Sequence, residues 1–460
     1  MTGNPDRSNP ASQTSAPAPA FRGSPQAGLF GATLGFFVGF AAVALFGPTA
    51  QEFKDVMGLS PAQVGLLVAV PSLSGSLLRI PFAAWVDSTG GRKPFLVLLG
   101  LSLAGLAALT LVVQTLYPDR LTPGLYPLLL LLGVLAGCGI AVFSVGISQV
   151  SYWFPQKRQG SALGVFAGAG NLAPGLFSLA LPLVLASWGL GTAYLAWLAF
   201  LLVGLGLYYL TGRNAWYFQL RDRGVPDREA REQASAQGQE LFPAGSPLES
   251  LSLSARIWKT WVLVALYFTS FGGFIALTAW FPTYWESFYG VGAVTAGLLT
   301  ALYSLLTSVI RIPGGSLADR LGGETTALLA LGTMAAGAIV LTSTGTYGLS
   351  IFGVVVMALG MGVNNAAVFK LVPQEVPQAV GGAAGWVGGL GAFGGFAIPP
   401  LMGLFVTEEG DIGYARGFSI LIVLAVVSLG LTLLLKRKPR TQRAAAGRPA
   451  EAGLTQEEPT

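Results

Sequence analysis

The sequence predicts an all-α membrane protein, with twelve transmembrane helices in two six-helix halves. Three observations carry this. Of 460 residues, 53% are hydrophobic and only 10% charged, with a mean hydropathy of +0.63, where an ordinary soluble domain has about a quarter of its residues charged. The apolar residues gather into twelve runs, each near the ~20 residues that a helix needs to cross a bilayer. A short string is also duplicated: Arg79-Ile80-Pro81 followed by Asp87 and Gly90-Gly91, then Arg311-Ile312-Pro313 followed by Asp319 and Gly322-Gly323, with every matched position 232 residues apart.

In chain order, residues 1–26 are polar and rich in Pro and Ser, with no basic segment leading into a cleavage site, and read as a disordered tail. The first half, 27–210, holds runs at 28–47, 61–83, 94–116, 125–150, 160–186 and 190–210. Residues 211–258 form the one long hydrophilic stretch between runs, and their Arg, Gln, Ser and Pro content reads as a linker with a surface helix near 227–239. The second half, 259–436, holds runs at 259–283, 293–316, 325–343, 347–371, 382–406 and 415–435, and 437–460 read as a second disordered tail.

Of the 26 Lys and Arg residues, three lie within runs (Arg79, Arg311, Lys370), three on one side of the membrane (Lys54, Arg120, Arg416) and twenty on the other. The richer side is expected to be cytoplasmic, which puts the linker and both termini inside, in a multi-pass membrane protein. The net charge of +5 is then topological and implies no nucleic-acid partner. A single cysteine, Cys138, excludes an internal disulfide and a Cys-based metal cluster. With no histidine, the commonest metal ligand and general base is missing. No metal, cofactor or enzymatic centre is expected, and the chain is expected to act as a monomer in contact with lipid and a small ligand.

The two halves echo each other beyond the duplicated string. Gly137-Cys138-Gly139-Ile140 in run 4 pairs with Gly360-Met361-Gly362-Val363 in run 10, and glycine ladders recur in runs 5 and 11. Gly164, Gly168 and Gly170, with Gly385, Gly389 and Gly391 opposite, remove side chains so that neighbouring backbones can approach. Parallel repeats of this kind build transporters whose ligand sits between the halves near mid-membrane. The loops after runs 2 and 8 carry an acid and nearby base in both copies, Asp87 with Arg92 and Asp319 with Arg320, and are expected to gate by charge pairing at the helix ends.

Each arginine of the string precedes its loop aspartate by eight residues, which sets it about 12 Å deeper at 1.5 Å per residue. Half of a hydrocarbon core is about 15 Å, so both arginines lie near the midplane, where a charge costs several kcal/mol unless it faces a cavity or a partner. A buried salt bridge would need an acid. All 21 acids fall in tails, loops or helix ends, Glu286 being the nearest to a run. Two guanidinium groups on opposite halves therefore call for an anion, and their planar forks suit a flat oxyanion bound through paired hydrogen bonds. Asn171, set among glycines at mid-helix, can donate to the same ligand. Asn364, Asn365 and Lys370 of run 10 are candidates for an anion path or for coupling. Lys370 reads as a second attraction point, as a proton carrier with a depressed pKa, or as a side chain that snorkels to the interface.

The two Arg-Ile-Pro strings, Gly168-Ala169-Gly170-Asn171 in run 5 and the matching ladder in run 11 together resemble the nitrate/nitrite porter family of the major facilitator superfamily, of the bacterial NarK type. Gly315-x-x-x-Asp319-Arg320-x-Gly322 also resembles the superfamily's loop signature, which the first copy matches more loosely. The resemblance implies the major facilitator fold and an anion held between Arg79 and Arg311, sandwiched by aromatic rings from runs 4 and 7. Phe143, twelve residues before Pro155, would supply the first ring. Phe271 would supply the second, with Phe274 in reserve, and Tyr267 would add a hydrogen bond beside Asn171.

Secondary transport of nitrate, nitrite or both follows from the resemblance. An unliganded pair of buried positive charges is costly to enclose, and the runs hold no Asp, Glu or His for a proton relay. Both points favour nitrate/nitrite exchange by alternating access. Nitrate/proton symport through Lys370 or a co-transported proton is one alternative, and transport of another small anion by the same fold is the other.

Overall fold

The computed structural model describes residues 21–243 and 247–436, and every element among them is helical. The expected disordered tails fall almost wholly on 1–20 and 437–460, outside the described residues. The first span begins at Pro25, with the Ser24 hydroxyl accepting from the Ala27 amide at 3.3 Å.

Among the described residues, eleven continuous stretches are long and apolar enough to cross a membrane: Pro25–Met57, Pro61–Thr89, Arg92–Leu116, Pro123–Trp153, Ser161–Thr211, Trp258–Tyr289, Ala293–Leu321, Gly323–Ser343, Tyr347–Glu375, Pro377–Glu409 and Ile412–Lys436. The fifth has 51 residues, about twice the length that a bilayer takes. It breaks at Gly189, whose φ of 76° and ψ of 173° are non-helical and lie where a side chain would be strained. The stretch is thus two spans, and the bundle has twelve, numbered in chain order below.

Several spans are interrupted at mid-membrane. Span 1 passes through a 3₁₀ turn at Ala41–Ala44, span 4 through another at Gly137–Ala141, span 7 through a π turn at Phe268–Gly272, and span 11 through a turn between Leu390 and Gly394. Irregular backbone at that depth is tolerated only where protein or a polar cavity surrounds it.

The halves meet tightly on the face away from the linker. A Cβ at Gly65 of span 2 would stand 2.4 Å from the Pro399 carbonyl of span 11, and one at Gly297 of span 8 would stand 2.3 Å from the Ser178 carbonyl of span 5. Gln51 and Ser287 hydrogen-bond across the same boundary. On the linker face, spans 5 and 8 part. A Cβ at Gly164 or Gly315 would meet nothing within 4 Å, and Gly168 has only Ile312 at 4.0 Å. On that face the halves still meet between spans 2 and 11, where a Cβ at Gly389 would stand 2.8 Å from Ile80.

The linker is fastened at both ends. Trp216–Asp222 and Asp227–Ala236 pack with Trp153 of span 4 into a small aromatic cluster on the first half. Pro247–Ala255 lies on span 11, where the Ser250 hydroxyl accepts from the Gly382 amide at 3.0 Å and the Trp386 indole donates to the Leu251 carbonyl at 3.0 Å.

Candidate functional site

Pro81 lacks an N–H, so the helix loses its bond to the Leu77 carbonyl and is interrupted at Leu78. A new segment, Arg79–Thr89, starts on the arginine, and Pro313 does the same for Arg311–Leu321. The Ile-Pro of the duplicated string therefore sets each arginine at a kink, and both side chains end beside one ring. The Arg79 guanidinium carbon is 5.3 Å from the centre of Phe271, and that of Arg311 is 5.5 Å from it. Arg79 also lies 4.9 Å from the centre of Phe143. Both are within cation–π range.

Arg79 is fully buried. Its Nε donates to the Gly75 carbonyl at 3.0 Å, and its Nη1 crosses to the other half to donate to the Gly388 carbonyl at 2.8 Å. Nη2 has no partner, and neither does Nη1 of Arg311. No ion pair among the described residues includes either arginine. Tyr267 is buried, stacks on Phe271 at 4.7 Å and turns its hydroxyl toward Arg311. The buried Asn171 amide is unbonded at both atoms, while its backbone carbonyl accepts from Ser308 across the halves at 3.1 Å, three residues before Arg311. A buried polar group left without a partner costs about 1–3 kcal/mol. Arg79 and Arg311 each keep such a group beside the Phe271 ring.

The structure thus brings together Arg79, Arg311, Phe143, Phe271 and Tyr267, and ties Asn171 to the same region only through Ser308, one turn before Arg311. Phe274 lies 5.8 Å from Phe271 and next to Tyr303, and neither arginine stands over its ring. The Phe143 and Phe271 centroids are 5.9 Å apart at 27°. A flat ion between two rings needs about 7 Å, from contacts of about 3.5 Å on each side. The expected sandwich therefore requires the rings to part by about 1 Å.

Lys370 carries its Nζ to Asp319, at 2.5 Å, at the linker face. The gating acids bind within their own halves, Asp87 accepting from the Tyr152 hydroxyl at 2.6 Å and Asp319 from Lys370, so neither bridges the halves in this conformation. Arg92 donates to the Tyr209 carbonyl at 2.9 Å, and Arg320 is exposed. Among the glycines, Gly170, Gly389 and Gly391 are closely packed, against Phe36, Ile80 and Tyr267, but Gly164 lies open, Gly168 has only Ile312 at 4.0 Å, and Gly385 has only Leu251 at 3.3 Å. Asn364 is bonded to span 7, whereas both amide atoms of Asn365 are buried and unbonded.

Phe36, 5.1 Å from Phe143, and Phe40, 6.3 Å from Phe271, complete the aromatic wall. Sequence reasoning missed both, though their spacing of four places them on one helix face. The Gly388 carbonyl left no trace in the sequence.

The sequence matches the Major Facilitator Superfamily over residues 32–397 and 289–457. It is 34% identical over 424 residues to the probable nitrate/nitrite antiporter NarK1 of Thermus thermophilus, covering 86% of this chain and 88% of that one. The chain belongs to the nitrate/nitrite porter family of this superfamily. Other relatives of this porter are the probable nitrate/nitrite transporter NarK2 of Mycobacterium tuberculosis, 31% identical over 88% of this chain and 95% of that one, and the nitrite extrusion protein of Bacillus subtilis, 27% identical over 89% and 95%. The fold matches the xylose transporter XylE from E. coli in a partially occluded inward open conformation, with a TM-score of 0.68 at 16% identity over 90% of this chain and 98% of that one. That likeness shows the transporter fold.

Proposed function

We propose that this porter exchanges nitrate and nitrite across the bacterial inner membrane by alternating access, as a monomer, with its linker face and both termini in the cytoplasm. The observation that carries the reading is the convergence of Arg79 and Arg311, one from each half, on the Phe271 ring, each with a buried N–H that has no partner. The bases crowded on the linker face support the orientation, and the names of the relatives support the substrate.

Nitrate is planar and singly charged. Arg79 and Arg311 donate to its oxygens, Tyr267 and Asn171 add hydrogen bonds, Asn365 is a further polar contact on the path, and Phe143 and Phe271 cover its faces. With the linker face cytoplasmic, the conformation is inward-facing, and the gap between Gly164 and Gly315 is the way in. An anion shared by both arginines ties the halves together, so that they rock past each other as one loaded unit. The site holds no acid and Lys370 is already paired, which favours exchange over proton coupling.

Proteoliposomes loaded with nitrite should take up nitrate against a panel of chloride, formate and nitrite competitors, with nitrite competing best. Nitrate uptake into nitrite-free vesicles driven by a pH gradient overturns exchange.

A further inference from the structure

Span 7 is α-helical on both sides of Phe268–Gly272 but π-helical within it. A π turn holds an extra residue and recurs at functional sites. Here it contains Phe271, the one ring that both arginines share.

The widened turn is held from three sides. From span 10, the Asn364 amide donates to the Ser270 hydroxyl at 2.9 Å and to the Leu266 carbonyl at 3.3 Å, and the Ser270 hydroxyl itself donates to that carbonyl at 3.1 Å. From span 12, the Ser428 hydroxyl meets that of Thr269 at 2.8 Å. From span 11, glycines make room: a Cβ at Gly394 would lie 2.7 Å from the Phe268 carbonyl, and one at Gly272 would lie 2.7 Å from the Gly391 carbonyl. The break in span 11 therefore sits where the bulge of span 7 presses against it. Asn364 is fully buried and its oxygen has no partner, so this residue gives up half of its hydrogen-bonding capacity to make the staple.

We infer that Asn364 is a positioning residue: through Ser270 and the Leu266 carbonyl it fixes the π turn, and the turn fixes Phe271 and Tyr267 against the two arginines. The inference deepens the anion-exchange reading and rests on it. Relaxation of the turn to α geometry changes the angular register by about 100° per residue and carries Phe271 off the guanidinium groups. Anion affinity is thereby set by a side chain remote from the anion.

The test compares wild type with Asn364→Ala, Ser270→Ala and the double variant in detergent. Two readouts are taken: amide hydrogen exchange of residues 266–273 without added anion, and the nitrate dissociation constant from the thermal shift that nitrate induces. Each single variant should speed exchange in that segment, where Asn365→Ala does not, and weaken nitrate about tenfold at a nearly unchanged melting temperature without nitrate. The double variant should be no worse than the poorer single one, because both act through one staple. Unchanged exchange at 266–273, unchanged nitrate affinity or additive losses would each overturn the inference. Should Asn364→Ala fail to fold, Ser270→Ala, the loss of one hydroxyl, decides by the same two readouts. A wild type without any nitrate shift overturns the substrate reading instead, and the exchange comparison still judges the staple.

Discussion

Arg79 donates from Nη1 to the carbonyl of Gly388 at 2.8 Å, and this bond joins the kink of span 2 in one half to the glycine ladder of span 11 in the other. It gives the guanidinium a partner on the opposite half while Nη2 stays available. A lysine in its place carries its donors on a single nitrogen and lacks the planar fork that serves two partners at once. We expect Arg79→Lys and Arg311→Lys to insert and fold yet lose nitrate exchange. Loss of a charge-assisted hydrogen bond is worth about 1.5–3 kcal/mol, or roughly ten- to more than a hundredfold in affinity. Exchange in proteoliposomes at near wild-type rates would rule out the assignment.

Phe271 serves both arginines and Phe274 serves neither. Phe271→Leu, which keeps apolar volume while removing the ring face, should weaken nitrate at least fivefold. Phe274→Leu should stay within twofold. Equal effects of the two would mean that the ring acts as packing only.

Closing the linker face must bring spans 5 and 8 together where Gly164 and Gly315 now meet nothing. Gly164→Leu is accommodated in the present conformation and obstructs the other. Nitrate binding should survive within threefold while exchange falls at least tenfold. Equal loss of binding and exchange would point to misfolding rather than a blocked transition.

Lys370 is held by Asp319, whose side chain is 75% exposed, and exposed pairs contribute about 0–1 kcal/mol. Lys370→Gln should leave nitrate affinity and the pH dependence of exchange unchanged within twofold. A shifted pH profile would restore the lysine as a proton carrier.

In the linker, Asp227 accepts from the Tyr217 hydroxyl at 2.5 Å and from Arg231 Nε at 2.8 Å, and these bonds hold its carboxyl below the ordinary range. A lowered pKa stabilises the folded linker above the ordinary carboxylate value of about 3.9, and that contribution is lost as the pH falls through the lowered value. Trp216 fluorescence should be flat at neutral pH and change only under acid, with the step missing in Asp227→Asn. A step near neutrality would contradict this.

The bundle was legible because lipid imposes length and apolarity on every span, and the arginines because charge at that depth is rare. The division of the 51-residue stretch was legible as well: two spans are needed for that length, and the break falls at Gly189, where the backbone is non-helical. Other features were not legible. Whether Gly164 is packed depends on which conformation is populated, which one sequence does not encode. The reach of Lys370 to Asp319 depends on a flexible stem, not on its depth along the helix. The π turn arises from hydroxyls and an amide on three spans, Thr269, Ser270, Asn364 and Ser428, that only tertiary structure assembles. The Gly388 contact is backbone.

The linker has a consequence of another kind. Phe242 and the Pro243 carbonyl are held by Arg231 on the first half, and Pro247–Ala255 is held by Gly382 and Trp386 on the second. The covalent thread between Pro243 and Pro247 thus joins two pieces that are already anchored to their own bundles. A gene cut there should yield two polypeptides that, made in the same cell, find each other in the membrane and restore the porter, so that the duplication is a seam along which the molecule can be unpicked and sewn together again.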